Sequence, residues 1–207
     1  MQSLSRNLLP LFMLILLSAC SSNSEQKNTE ATPAEENTEM EAINYTLDTD
    51  KSVLMWEGTM MGMYSHEGTL DFTEGSFKMN GDEVVDGSFT VDMMSMTPTD
   101  ENFDPEAGKT ADKLVGHLQS DDFFNVAEFK TASLSVENGQ MMLTVRDQTH
   151  PIELKEFNPT MKADLLEADG KFIFDRKKFN VSFDHPAQDM VLSDDIEVEF
   201  KITAFRD

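Results

Sequence analysis

From about residue 43 onwards, hydrophobic and polar positions alternate. Ile196, Val198, Phe200, Ile202 and Ala204 are interleaved with Glu197, Glu199, Lys201 and Thr203. A period of two predicts a strand with one buried and one wet face. The same rule puts Tyr64, His66, Gly68, Leu70 and Phe72 on one face, opposite Ser65, Glu67, Thr69 and Asp71. Phe89, Val91 and Met93 alternate with Ser88, Thr90 and Asp92, and Met141, Leu143 and Val145 with Thr144 and Arg146. Phe172 and Phe174 flank Ile173 in a further such run.

Turn signals punctuate these segments. Asn80-Gly81, Asn138-Gly139 and Asp169-Gly170 read as tight hairpins, which force consecutive strands to pair antiparallel. Gly75, inside a strand-like stretch, predicts a bulge or bend. Residues 98–125 break the alternation, with a loop-like start and a short helix expected over Gly108 to Leu118. The fold class is therefore all-β: about eight antiparallel strands, with one short helix in the 98–125 connection. A closed barrel and a sandwich both satisfy this pattern, and an eight-stranded barrel can enclose a small ligand.

The N-terminus follows other rules. Residues 1–19 contain Arg6, then an apolar run from Leu8 to Leu17, then Ser18 and Ala19, the layout of a secretion signal. The run is too short for the roughly 20 residues of a membrane span. Leu17-Ser18-Ala19-Cys20 resembles the lipobox of bacterial lipoproteins, which implies acylation of Cys20 and its exposure as the new N-terminus. Residues 20–42 then form an acidic, disordered tether, with a reach of roughly 25 Å, and residues 43–207 form one domain. Cys20 is the sole cysteine, so no disulfide, thiolate nucleophile or blue-copper site is available. The formal charge of -23 argues against nucleic acid as a partner.

A resemblance covers the domain in order. Tyr45-x-Leu-Asp48, Trp56-x-Gly58, Ser65-His66-x-Gly68-Thr69, Gly87 to Met93, Lys113 to Phe124, Leu143 to Ile152 and Asp175-Arg176-x-x-Phe179 are together similar to the YceI-like family. The segment Lys113-Leu-Val-Gly-His117-Leu-Gln-Ser120-Asp-Asp-Phe123-Phe124 is the most specific. Asp147 and His150 depart from the family pattern. The resemblance implies a lipocalin-like, eight-stranded barrel that binds a long isoprenoid or similar amphipathic lipid in the periplasm, without catalysis.

The residues supply what such a site needs, an apolar wall with few polar groups. The expected inward wall is Trp56, Tyr64, Leu70, Phe72, Phe89, Val91, Met93, Leu143, Phe172 and Phe174. The chain has 15 Phe and 15 Met, and thioethers adapt to flexible apolar ligands. The same residues could instead fill the barrel. The polar candidates are His66 and Arg176, inward by parity if the strand runs unbroken, and His117 beside the helix. A guanidinium there would suit a diphosphate or carboxylate head.

Competing readings rest on less. Met60-Met61-x-Met63 and Met93-Met94-x-Met96 suggest soft-metal handling, but on a strand neighbouring methionines face opposite sides. Asp100-x-Asn102-x-Asp104 imitates a calcium loop yet lacks its glycine and closing carboxylate, so no metal or cofactor is expected. No hydrolase, P-loop or zinc-protease motif occurs. An interaction lipoprotein with a filled core is the remaining alternative. Ser21 after Cys20 points to the outer membrane, facing the periplasm, as the location.

Overall fold

The computed structural model describes residues 41–60, 64–182 and 192–207. The signal 1–19, Cys20 and nearly all of the 20–42 tether lie outside them, as do Met61, Met63 and His185.

Among the described residues, ten strands form one antiparallel sheet: β1 Ile43–Leu47, β2 Val53–Met60, β3 Tyr64–Asn80, β4 Glu83–Pro98, β5 Thr131–Glu137, β6 Gln140–Val145, β7 Gln148–Ile152, β8 Leu154–Lys162, β9 Leu165–Asp175 and β10 Leu192–Arg206. The expected count of eight is corrected to ten, yet they occupy eight positions. β1 and β2 share one position between β3 and β10, interrupted by a 3-10 turn at Thr49–Lys51. The Ser52 hydroxyl holds this break, donating to the Asp48 carbonyl at 2.7 Å and accepting from the Thr203 N–H at 3.0 Å. β7 and β8 share another position: β7 pairs with β6 and β8 with β9, and Glu153 alone separates them. One run of chain thus serves both edges of the sheet and closes it into a barrel, which decides against the sandwich.

Turn chemistry was legible at two of three places. Asn80-Gly81 lies at the β3–β4 turn, and Asn138-Gly139 joins β5 to β6 with φ of 51° and 76°, as a primed hairpin turn demands. Asp169-Gly170 is not a turn. Gly170 sits in mid-β9, between Phe157 of β8 and Phe200 of β10, and a Cβ there would lie 2.3 Å from the Phe200 ring. The glycine therefore makes room for aromatic neighbours, and the chain turns at Ala163-Asp164 instead, with Ala163 at φ 54°. The bulge expected at Gly75 falls between Phe72 and Glu74.

The helix α1 runs Ala111–Gln119, a little later than expected, because the Thr110 hydroxyl accepts from the Lys113 N–H and fixes its start. It lies at the end of the barrel where β4 and β9 finish and β10 begins. The opposite end carries the β3–β4, β5–β6 and β8–β9 hairpins. There Tyr45, Phe77, Met79, Leu166 and Ala204 are at most 3% exposed, and Tyr45 stacks on Phe77 at 5.7 Å. These side chains plug that end on the β1 and β9 side, while Val84, Val136 and Met141 beside the other two hairpins line a cavity.

Candidate functional site: an apolar cavity in the barrel

Above the plug the barrel is hollow. The cavity measures about 530 Å³, within the range of sites that enclose small organic ligands. Each of the ten apolar positions predicted to face inward, from Trp56 to Phe174, lines it. The filled-core alternative is therefore corrected: inward parity was right, but the facing side chains do not meet across the lumen. Several wall residues, including Leu54, Trp56, Phe89, Leu134, Phe157 and Phe200, are only partly buried while packing on the core.

Sequence reasoning missed part of the wall. Ala132, Leu134 and Val136 of β5 all line it, and their period-two spacing is as plain as that of β10. Leu114 and Leu118 come from α1, and Phe123 and Phe124 from the loop after it. A helix laid across the end of a barrel leaves no strand periodicity, so only tertiary structure places these four. Trp56 lies against β3 at Gly68, where a Cβ would come within 2.5 Å of the indole.

The polar groups gather near the helix end. His66 lines the cavity, and its Nδ1 lies 3.1 Å from both oxygens of Asp100. Its ring stacks on Phe103 at 5.3 Å and meets Tyr64 edge-on at 5.1 Å. Burial acts to raise the Asp100 carboxyl, but hydrogen bonds from the Asn102 and Glu67 N–H groups and from His66 outweigh it, leaving the carboxyl below the usual aspartate value. His117 also lines the cavity and meets Phe123 edge-on at 5.8 Å.

Arg176 is corrected. It does not line the cavity, because β9 ends at Asp175 and Arg176 begins a 3-10 turn over Arg176–Phe179. The side chain is 2% exposed. Its Nε donates to the Ser193 carbonyl at 2.9 Å, its Nη1 to the Val181 carbonyl at 2.8 Å, and its Nη2 pairs with Asp194 at 3.2 Å. This guanidinium pins the chain after β9 to the start of β10. Arg146, not singled out from the sequence, clamps backbone in the same way. Its Nη1 donates to the carbonyls of Phe123 at 3.0 Å and Asn180 at 2.6 Å. The departure at Asp147 and His150 is local, with His150 Nε2 2.9 Å from the Lys178 carbonyl.

Of the adjacent pair Met93-Met94 one faces inward and one outward, and Met96, three residues from Met93, returns inward because the β3–β4 register shifts between Thr69 and Asp71. Met60, Met93 and Met96 line the cavity, while Met94 is 58% exposed. Among the described residues, no group of three or more His, Cys, Asp or Glu side chains is placed to hold a metal ion.

Among curated proteins, none matches this chain. The solved structures include BcnA of Burkholderia cenocepacia, at 15% identity and a TM-score of 0.61, covering 76% of this chain and 98% of that one. A polyisoprenoid binding domain from Saccharophagus degradans, implicated in plant cell wall breakdown, aligns at 13% identity and a TM-score of 0.58, covering 80% and 99%. At such identities the likeness speaks for the fold, and the same barrel recurs in both. The profile of the YceI-like domain matches residues 45–204, most of the chain and all of the barrel apart from its outermost residues, and the protein is accordingly a member of the YceI-like family.

Proposed function

We propose that this protein is a lipid-binding lipoprotein, which holds the apolar tail of a long isoprenoid or similar amphipathic lipid inside the barrel. One observation carries the reading: a cavity of about 530 Å³, walled by aliphatic, aromatic and thioether side chains, with its polar groups near one end. Such a wall binds by burying apolar surface, at about 25 cal/mol per Å² removed from water. The polar end orients the ligand. A polyisoprenoid binding domain stands among the structural relatives. The role in this reading is binding.

Cys20 supplies the membrane attachment in this reading. Several acyl chains at about 0.8 kcal/mol per buried methylene hold a protein durably to a membrane, and we place it on the outer membrane, facing the periplasm. The tether 20–42 then lets the barrel meet lipids at the surface. Native mass spectrometry and lipid extraction of the purified protein test the binding. The expected result is a co-purifying lipid, lost or weakened about tenfold in Ala132→Phe, which fills the lumen from β5. Protein that neither carries nor takes up isoprenoids or fatty acids would overturn the proposal.

A further inference from the structure

We infer that residues 99–109 form a strap across the helix end of the barrel, fastened to β3 by Asp100 and Phe103, and that its release sets the rate at which the cavity exchanges its ligand. This rests on the cavity being a lipid site, and it follows from how few bonds hold the segment between β4 and α1.

The β3–β4 ladder ends at Pro98, paired with Gly68. From there the chain folds back over the start of β3. The Thr99 N–H donates to the Glu67 carbonyl at 2.9 Å, and the Asn102 side-chain amide to the Ser65 carbonyl at 2.8 Å. The Glu67 N–H in turn donates to the Asp100 carboxylate at 3.1 Å. Both oxygens of that carboxylate lie 3.1 Å from His66 Nδ1, and the Phe103 ring stacks on the imidazole. Among the described residues, every hydrogen bond from 99–109 to the strands ends on Ser65, His66 or Glu67. Beyond Phe103 the segment bonds to itself, through the Asp104–Lys109 bridge and the Asp104 side chain, and residues 104–107 are exposed. One short stretch of β3 therefore holds the whole segment.

The Asp100 side chain is 6% exposed, although its neighbours Thr99, Glu101 and Asn102 face water. A carboxylate withdrawn this far needs hydrogen bonds in place of its hydration. Two of its three donors, His66 and the Glu67 N–H, belong to β3. Opening the strap returns these polar groups to water, which supplies replacement bonds, so the fastening is reversible at modest cost. The plug has no such route, because opening it would expose Tyr45, Phe77 and Leu166. His66 joins the strap to the lumen: it lines the cavity, whereas Asp100 and Phe103 do not. The strap then runs into α1, capped by Thr110, which carries Leu114 and Leu118 into the wall. Release therefore loosens one wall residue together with the approach to the helix that supplies two more.

Trp56 is the chain's one tryptophan and part of the wall, so energy transfer from it to bound cis-parinaric acid, a polyene fatty acid, reports occupancy. The purified full chain is compared with Asp100→Ala and with Phe103→Ala. The second site lies outside the wall and keeps the test open should the first variant not fold. In both, release of parinaric acid to phosphatidylcholine vesicles should be faster by at least about tenfold. Equilibrium affinity should change far less, because entry speeds up as well. Amide hydrogen exchange should rise across 99–109 and not at Tyr45 or Leu166. Unchanged release in variants that bind the probe overturns the inference and leaves the lipid site standing. Faster release matched by an equal loss of affinity makes Asp100 and Phe103 binding groups, and also overturns the strap. A parent chain that takes up no parinaric acid overturns the lipid site and the inference together.

Discussion

Two regions of this barrel are built from the same alternating pattern and finish in opposite states. Around β1 and the β8–β9 hairpin, Tyr45, Phe77, Met79 and Leu166 belong to one packed cluster and are nearly inaccessible. Toward the helix end, Leu54, Phe89, Leu134 and Phe200 face a lumen of about 530 Å³. The difference is one of convergence and not of composition. On the β1 side of the break at Thr49–Lys51, large side chains from β1, β3 and β9 reach a common point. Higher up, the strands stand apart, and the same kinds of side chain end short of their opposites. Apolar residues on inner faces therefore do not by themselves make a core; a core needs them to touch.

Truncation should break the symmetry of these two regions most plainly. Leu166→Ala in the plug removes packed methyl groups and leaves a new void, so it should cost about 4 kcal/mol in urea unfolding. Leu134→Ala in the wall only enlarges a space already present and should cost about 1 kcal/mol. Equal losses would mean that the lumen is closed in solution.

Arg176 sharpens the comparison from the polar side. Arg176→Met should destabilise the protein by about 2 kcal/mol, because the carbonyls of Val181 and Ser193 lose a buried donor. Lipid uptake should not move, as this side chain lies outside the wall. A lipid-binding change with stability preserved would return Arg176 to the site.

The smallest effect concerns Asp100. Its lowered pKa means that ionisation favours the folded state: that stabilisation is present above the ordinary aspartate value and is lost as the pH falls through the lowered one. Asp100→Asn should therefore be slightly less stable than the parent near neutrality and indistinguishable in strong acid. Comparing urea midpoints across that range checks the sign.

Much of this was legible one strand at a time. Ile196 to Ala204, Tyr64 to Phe72 and Phe172 to Phe174 announce their inner faces through alternation, because a strand's side chains point to opposite sides by geometry alone. The reading failed where a local signal had a non-local cause. Asp169-Gly170 resembles a turn, but the glycine serves Phe200 across the ladder. Arg176 carries inward parity, but parity ended with the strand one residue earlier. Leu114, Leu118, Phe123 and Phe124 belong to the wall only because α1 and its following loop cross the end of the barrel.

What the sequence determined by itself was the all-β class, the inner face of most strands, the scarcity of chemistry in a chain with one cysteine, and a strongly acidic balance. Those properties depend on neighbours within a few residues or on composition. Only the tertiary structure decided that the sheet closes through β7 and β8, that one region of the interior is packed while another is hollow, and that the buried arginine is spent on backbone carbonyls. These depend on residues far apart in the chain meeting or failing to meet, and alternation carries no information about distance across a lumen.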